Sequence, residues 1–144
     1  TTAHTLSLHD ALPICFKSFF YTFLKLIIMI IELQRIYESA GEADNYRVLV
    51  DRLWPRGISK DKAKLDAWEK DWAPSNELRK RFHSSEIDWG NFKKSYQKEL
   101  EANRNHIKEK LESYDLRKKI ILLYASKDPE QNHAILLKEF LQEL

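Results

Sequence analysis

Two clusters of polar side chains could carry out chemistry, and each coincides with or follows the end of an apolar segment of strand length. The clusters are Asp51-Arg52-Leu53-Trp54-Pro55-Arg56-Gly57 and Tyr124-Ala125-Ser126-Lys127-Asp128, the second continuing to Asn132 and His133. Arginine and lysine bind phosphate and carboxylate groups, whereas aspartate and histidine can transfer protons. These residue types predict a site for a small anionic ligand, with Asp51 and His133 as candidate catalytic groups.

The candidate ligand-binding residues are polar or aromatic side chains of these clusters, together with one arginine from the middle of the chain. They are Arg52, Trp54, Arg56, Arg79, Tyr124, Lys127 and Asn132. Each also has a structural alternative. Trp54 could pack over the end of the sheet, Tyr124 could belong to the core, and Arg79 could lie on a solvated helix face. Asp51 and Arg52 could equally pair with each other.

Two strands must position these clusters. Residues 46–53 form an apolar run that includes the β-branched Val48 and Val50, and residues 118–124 form a continuous apolar run typical of a buried central strand. Helical segments join them, which predicts a right-handed parallel crossover. Parallel strands end at the same edge of a sheet, where ligands of open α/β sheets bind. Both clusters should therefore meet there.

The remaining patterns predict a further strand and several helices. Residues 30–36 alternate between apolar and polar side chains and predict a first strand, whose direction the short following loop leaves open. Helices are predicted for residues 60–68 after Ser59, from Pro74 to Phe82, and from Asp88 to Leu111. Asp128, Pro129 and Gln131 predict the start of a last helix. The fold class is a single small α/β domain with a mainly parallel sheet flanked by helices.

Residues 1–28 are predicted to lie outside this domain, which then spans residues 29–144. The segment 16–31 is the most hydrophobic stretch, but Lys17 and Lys25 interrupt it and it is short of the ~20 residues of a membrane span. Residues 5–14 resemble one reading frame of a sequencing-adapter oligonucleotide. We expect residues 1–28 to be a non-native or disordered leader, namely adapter-like translation plus upstream sequence, and we expect no membrane association.

Composition excludes several classes of protein. The 144 residues are 43% hydrophobic and 32% charged, which is ordinary for a globular chain. One cysteine excludes a disulfide framework, and the five histidines have no metal-binding spacing, so no metal or other cofactor is predicted. A net charge of +2 argues against a protein that coats nucleic acid.

Three long segments resemble a known family, and they occur in the family's order and spacing. They are RVLVDRLWPRGISK, WEKDWAPSNELRKRFH and ILLYASKDPEQNHAILLKEFL. The chain from Met29 to Leu144 is therefore identified as a member of the YeaO-like branch of the domain-of-unknown-function (DUF) 488 family. The resemblance implies a small cytoplasmic α/β protein of prokaryotic type and specifies no reaction. The family's signature positions fall within the polar clusters named above and around Arg79.

Three functions remain open. The leading hypothesis is an enzyme or binding protein for a phosphate- or carboxylate-bearing ligand, held by Arg52, Arg56 and Lys127. The second is nucleic-acid binding through residues 79–81 and 93–94, which interspersed acidic residues make less favoured. The third is a non-catalytic interaction module, in which the strand-end polar residues pair with one another and leave no open crevice.

Overall fold

The computed structural model describes the chain in five stretches. They are residues 13–15, 17–19, 29–38, 44–115 and 118–144. Most of the predicted leader, residues 1–28, therefore lies outside the described residues, and its non-native origin stays a prediction. Within the described stretches, no helix has both the length and the apolar character needed to cross a membrane.

Four strands form one parallel sheet: β1 (Ile31–Arg35), β2 (Asn45–Leu49), β3 (Ala67–Trp68) and β4 (Lys119–Tyr124). Their spatial order is β1-β4-β2-β3, so β4 pairs with β1 on one side and β2 on the other. This central place explains the continuous apolar sequence of β4, because both of its faces are buried. The predicted parallel α/β fold is confirmed, and β1, whose direction was open, is parallel too.

Five α-helices lie within the described stretches 44–115 and 118–144. They are α1 (Lys60–Ala63), α2 (Asn76–His83), α3 (Trp89–Ala102), α4 (Arg104–Glu112) and α5 (His133–Gln142), with 3-10 turns at Ile36–Glu38 and Lys70–Trp72. Side chains alternate between the two faces of each strand, which gives two cores. Val48 and Leu122 join the helices α2 to α5, whereas Leu49 and Leu123 pack beneath the segment that contains α1.

The predicted helix over residues 60–68 is wrong in its second half. Helix α1 ends at Ala63, because Lys64 adopts a left-handed conformation with φ 47°. The Asp66 carboxylate then accepts a hydrogen bond from the Arg47 amide at 2.8 Å, and Ala67–Trp68 pairs with Val48 and Leu49. The open edge of β2 offers backbone partners that a local helix pattern does not reveal.

The predicted helix from Asp88 to Leu111 is interrupted at Asn103, which separates α3 from α4. The side-chain amide of Asn103 donates to the Asp71 carbonyl at 3.3 Å. Ile107 and Leu111 are nevertheless buried like the apolar positions of α3. The hydrophobic stripe therefore runs across the break, which is why periodicity alone predicts one helix.

The last helix begins later than predicted. Asn132, not Asp128, is the N-cap of α5, and its side chain accepts a hydrogen bond from the Ile135 amide at 3.2 Å. Asp128 instead caps a turn, since its Oδ1 accepts from the amides of Glu130 and Gln131 at 2.9 and 3.0 Å. Both residues suit an N-cap, and the later one forms it. The shift makes His133 the first residue of α5.

Candidate functional site

A cleft of about 640 Å³ opens where β2 and β4 end. Its wall includes the segments after both strands, one face of α2 and the start of α5. The lining residues are Tyr37, Asp51, Arg52, Leu53, Trp54, Pro55, Arg56, Ala73, Pro74, Arg79, Phe82, His83, Phe92, Ala125, Ser126, Lys127, Asp128, Gln131, Asn132 and His133. All the predicted site residues except Tyr124 are among them. This placement counts against an interaction module whose strand-end residues leave no open crevice.

Asp51 connects the segments that leave β2 and β4. Its Oδ2 accepts a hydrogen bond from the Ala125 amide at 2.9 Å, and its Oδ1 lies 3.2 Å from Nε2 of His133. Both side chains are only 15% exposed. Oδ1 has no hydrogen bond of good geometry from any described residue, so its contact with His133 is electrostatic. The carboxylate therefore connects the two strand ends at the edge of the sheet where the cleft lies.

The contacts of His133 determine which ring nitrogen carries a proton. Nε2 lies 2.9 Å from the Val50 carbonyl oxygen and close to the Asp51 carboxylate. Because both neighbours are acceptors, Nε2 must bear a hydrogen and donate it to Val50. A neutral His133 can then accept a proton only at Nδ1. Its role as a general base through Nε2 is excluded by this geometry.

Tyr96 packs against His133 and is a fixed hydrogen-bond donor. The two rings meet edge-on with centroids 6.2 Å apart, and the Tyr96 hydroxyl donates to the Trp72 carbonyl. Complete burial raises the pKa of Tyr96 well above its usual value of 10.0, with Glu99 adding to the increase. Tyr96 therefore remains protonated and supports the site without taking part in proton transfer.

Arg52 orders the chain before α2. Its Nε donates to the Pro74 carbonyl at 2.8 Å and its Nη2 to the Ala73 carbonyl at 3.1 Å. The next residue, Ser75, caps α2 through the Leu78 amide at 3.2 Å. Two of the five guanidinium donors are thus used within the protein. Arg52 both positions α2 and lines the cleft.

Trp54 and Arg56 lie on a turn whose shape depends on Gly57, the residue with φ +75°. The Trp54 indole donates to the Ile58 carbonyl at 2.6 Å and meets the Trp68 ring edge-on at 5.1 Å. One part of Trp54 is therefore packed in the smaller core, and another part lines the cleft. The Arg56 side chain is exposed at the rim, while its carbonyl accepts a hydrogen bond from the Tyr37 hydroxyl at 2.9 Å.

Positive charge exceeds negative charge along the cleft. Four arginine or lysine side chains line it against two carboxylates, Asp51 and Asp128. Within the described stretches, Arg56, Arg79 and Lys127 have no carboxylate close enough for an ion pair. Nε of Arg79 is buried and likewise lacks a hydrogen-bond partner there. Arg79 is half-buried, whereas Arg56 and Lys127 are exposed, and a group of unpaired cations around one cleft favours an anion.

Two predicted ligand-binding residues are used by the fold. Tyr124, on the last position of β4, is 8% exposed and belongs to the helix-side core, because its side chain alternates with that of Leu123. It does not line the cleft. Asn132 does, but its amide donates to the Asp128 carbonyl at 2.9 Å and its oxygen caps α5. Both ends of that side chain are already satisfied.

Sequence reasoning missed four aromatic residues of the cleft, namely Tyr37, Phe82, His83 and Phe92. Tyr37 follows β1, and its place at this edge depends on the direction of β1, which the sequence left open. Phe82 and His83 lie three and four positions after Arg79, so they share its helix face. That spacing was visible in the sequence. The described residues contain no group of three His, Cys, Asp or Glu side chains placed to hold a metal ion.

The parallel sheet and its cationic strand-end cleft define a small α/β protein, and sequence comparison assigns its family. Residues 30–144 match a family described as the inactive DUF488-N3 subclade, and the chain belongs to it. It is 44% identical over 118 residues to the uncharacterized protein YeaO of Escherichia coli K12, covering 81% of this chain and 100% of that protein. The YeaO-like resemblance is thereby confirmed.

Shorter matches are found in the genus Mycobacterium. The uncharacterized protein Mb3100c of Mycobacterium bovis is 44% identical over 70 residues, which is 49% of this chain and 59% of that protein. The same values hold for the uncharacterized protein Rv3073c of Mycobacterium tuberculosis H37Rv. No solved structure matches the chain.

Proposed function

We propose that the protein binds a small phosphate- or carboxylate-bearing ligand in the strand-end cleft. The observation that carries this proposal is the set of three cations, Arg56, Arg79 and Lys127, that line one cleft without an ion-pair partner among the described residues. An anion placed there would form the charge-assisted hydrogen bonds that the protein itself does not supply. Arg52 adds a fourth positive charge beside them.

Binding is favoured over catalysis. The predicted catalytic pair is engaged elsewhere, because Nε2 of His133 donates to Val50 and Oδ2 of Asp51 accepts from Ala125. Ser126, a cleft hydroxyl, accepts a hydrogen bond from the Asp128 amide at 3.3 Å and has no base beside it in the described contacts. The word "inactive" in the family description agrees with a binding role.

Nucleic acid is the less favoured partner in this proposal. Lys80, Lys93 and Lys94 are exposed, yet none of them lines the cleft, and Arg81 pairs with Glu86 at 3.2 Å. These basic residues therefore add nothing to the cationic wall. The family resemblance favours the cytoplasm as the compartment in which the protein acts.

Arg79 offers a sharp test because Arg81, two positions later on α2, is a matched control outside the cleft. Thermal unfolding should be followed with inorganic phosphate, phosphate monoesters and small carboxylates. A ligand at ten times its dissociation constant should stabilise the parent protein by roughly 1.4 kcal/mol. We expect Arg79→Gln to lose most of this stabilisation and Arg81→Gln to retain it.

Isothermal titration would then give the affinities of the same variants at two salt concentrations. The proposal fails if no anion stabilises the parent, or if Arg81→Gln weakens binding as much as Arg79→Gln does. The second result would indicate a diffuse effect of net charge, which salt screens, instead of a defined site. Recovery of the ligand unchanged after incubation, monitored by NMR, tests the absence of turnover.

A further inference from the structure

One helix presents a cation and aromatic rings together to the cleft. Arg79, Phe82 and His83 occupy positions i, i+3 and i+4 of α2, so they share one face, and all three line the cleft. The Phe82 ring lies 4.6 Å from that of Phe92, which also lines the cleft and is 3% exposed. The Phe82 ring is thus packed against a core residue and does not depend on mobile surface side chains.

The rim after β1 repeats this combination. Tyr37 is 42% exposed, yet its ring is held at two points. Its hydroxyl donates to the Arg56 carbonyl at 2.9 Å, and the Arg35 guanidinium lies 4.8 Å from the ring centroid. A guanidinium covers only one face of a ring, so the other face remains for a planar partner. The ring is therefore held beside the backbone of Arg56, whose residue lines the same cleft.

Leu53 adds apolar surface to the same cleft. Its side chain is 56% exposed, and together with Tyr37 it is among the few large hydrophobic residues that the described part of the chain leaves in water. Exposed apolar groups gathered at a cleft are typical of a binding site. Inorganic phosphate would engage the cations and leave this apolar surface uncovered.

We infer that the anion suited to this cleft carries a planar aromatic ring and has the size of a nucleoside monophosphate. The inference rests on the proposed function, since the cations hold the phosphate, and it adds that the ring stacks on Tyr37. The cleft of about 640 Å³ lies within the ~300–1,000 Å³ of pockets for small organic ligands. Aromatic side chains accept any base, because every base has a flat π-face.

Three phosphate compounds separate the contributions of phosphate, sugar and ring. Titration calorimetry should compare inorganic phosphate, ribose 5-phosphate and adenosine monophosphate on the full chain. Stacking should make adenosine monophosphate bind about tenfold or more tightly than ribose 5-phosphate. Tyr37→Ala should abolish this advantage, measured as the ratio of the affinities for the two compounds. Tyr37→Phe, which keeps the ring and loses the hydrogen bond to Arg56, should retain it.

The results distinguish this inference from the proposal beneath it. If ribose 5-phosphate and adenosine monophosphate bind the parent equally, the ring inference is overturned while the anion site stands. The same holds if Tyr37→Ala keeps the full preference for adenosine monophosphate. If none of the three compounds binds, the ring inference fails together with the phosphate form of the proposed function. Circular dichroism of Tyr37→Ala provides the folding control, and its exposed position makes a folded variant the expected outcome.

Discussion

Removal of the Asp51 side chain should weaken the whole fold. In the parent, Oδ2 accepts a hydrogen bond from the Ala125 amide at 2.9 Å and Oδ1 lies 3.2 Å from His133. Asp51→Ala leaves that amide without its acceptor and His133 without its charged neighbour. A hydrogen bond to a charged group contributes ~1.5–3 kcal/mol, and the Ala125 amide makes such a bond to the Asp51 carboxylate. We expect the free energy of unfolding to fall by about 2–3 kcal/mol.

Urea denaturation followed by the fluorescence of the four tryptophans measures this loss. Asp51→Asn separates charge from hydrogen bonding, because an amide oxygen can still accept from Ala125. Its free energy of unfolding should fall by only about 1 kcal/mol, which is the difference between a hydrogen bond to a charged acceptor and one to a neutral acceptor. Removing His133 first should reduce the effect of Asp51→Ala by the coupling between the two residues.

Asp71 is a suitable control, since it is an exposed carboxylate that lies outside the cleft. Asp71→Ala should remain within about 0.5 kcal/mol of the parent, as surface substitutions usually do. The argument is refuted if Asp51→Ala is equally mild. In that case the contact with Ala125 does not hold the strand ends together, and Asp51 would be free to act on a ligand.

Two further predictions concern the segment that leads into α5. Asn132→Ala removes the N-cap and should lower the free energy of unfolding by about 1 kcal/mol in urea denaturation, whereas Asn132→Asp should keep most of the parent's stability. An Asn132→Ala protein as stable as the parent would contradict the capping role. Backbone hydrogen bonds from Glu130 and Gln131 lower the pKa of Asp128 from 3.8. Because the folded-state pKa is the lower one, Asp128 stabilises the protein above pH 3.8, and this contribution is lost as the pH falls through the folded value. The advantage of the parent over Asp128→Ala should therefore be present at neutral pH and vanish in acid denaturation; an advantage independent of pH would be inconsistent with it.

Much of the sheet could be predicted because burial on both faces leaves a direct mark on sequence. β4 is apolar from Ile120 to Tyr124, and β2 contains Val48 and is followed by Val50 and a polar cluster. β3 could not be predicted in the same way. It has two residues, and it exists because β2 has an edge to pair with, which is a property of the assembled sheet and not of Ala67 or Trp68. The break at Asn103 is hidden for a similar reason, since burial continues across it.

The residues of the candidate site likewise fall into those that the sequence could place and those that it could not. Residues that directly follow a strand, such as Arg52 and Lys127, could be placed at the sheet edge from parallel topology alone. Tyr37 could not, because its position depends on β1 lying beside β4, a pairing between residues nearly ninety positions apart. Tyr124 does not line the cleft, because strand alternation places its side chain in the helix-side core with that of Leu122.

The polar residues at this edge serve two purposes, and the hydrogen bonds separate them. A parallel sheet ends with backbone groups that have no next strand residue to pair with, here the Val50 carbonyl and the Ala125 amide. His133 and Asp51 satisfy these two groups, and their hydrogen bonds connect β2, β4 and α5. Arg56, Arg79 and Lys127 satisfy no such group in the described chain. An acid–base pair beside a cationic cleft would suggest catalysis from residue types alone, whereas the contacts show that Nε2 of His133 and Oδ2 of Asp51 hold backbone groups of the fold.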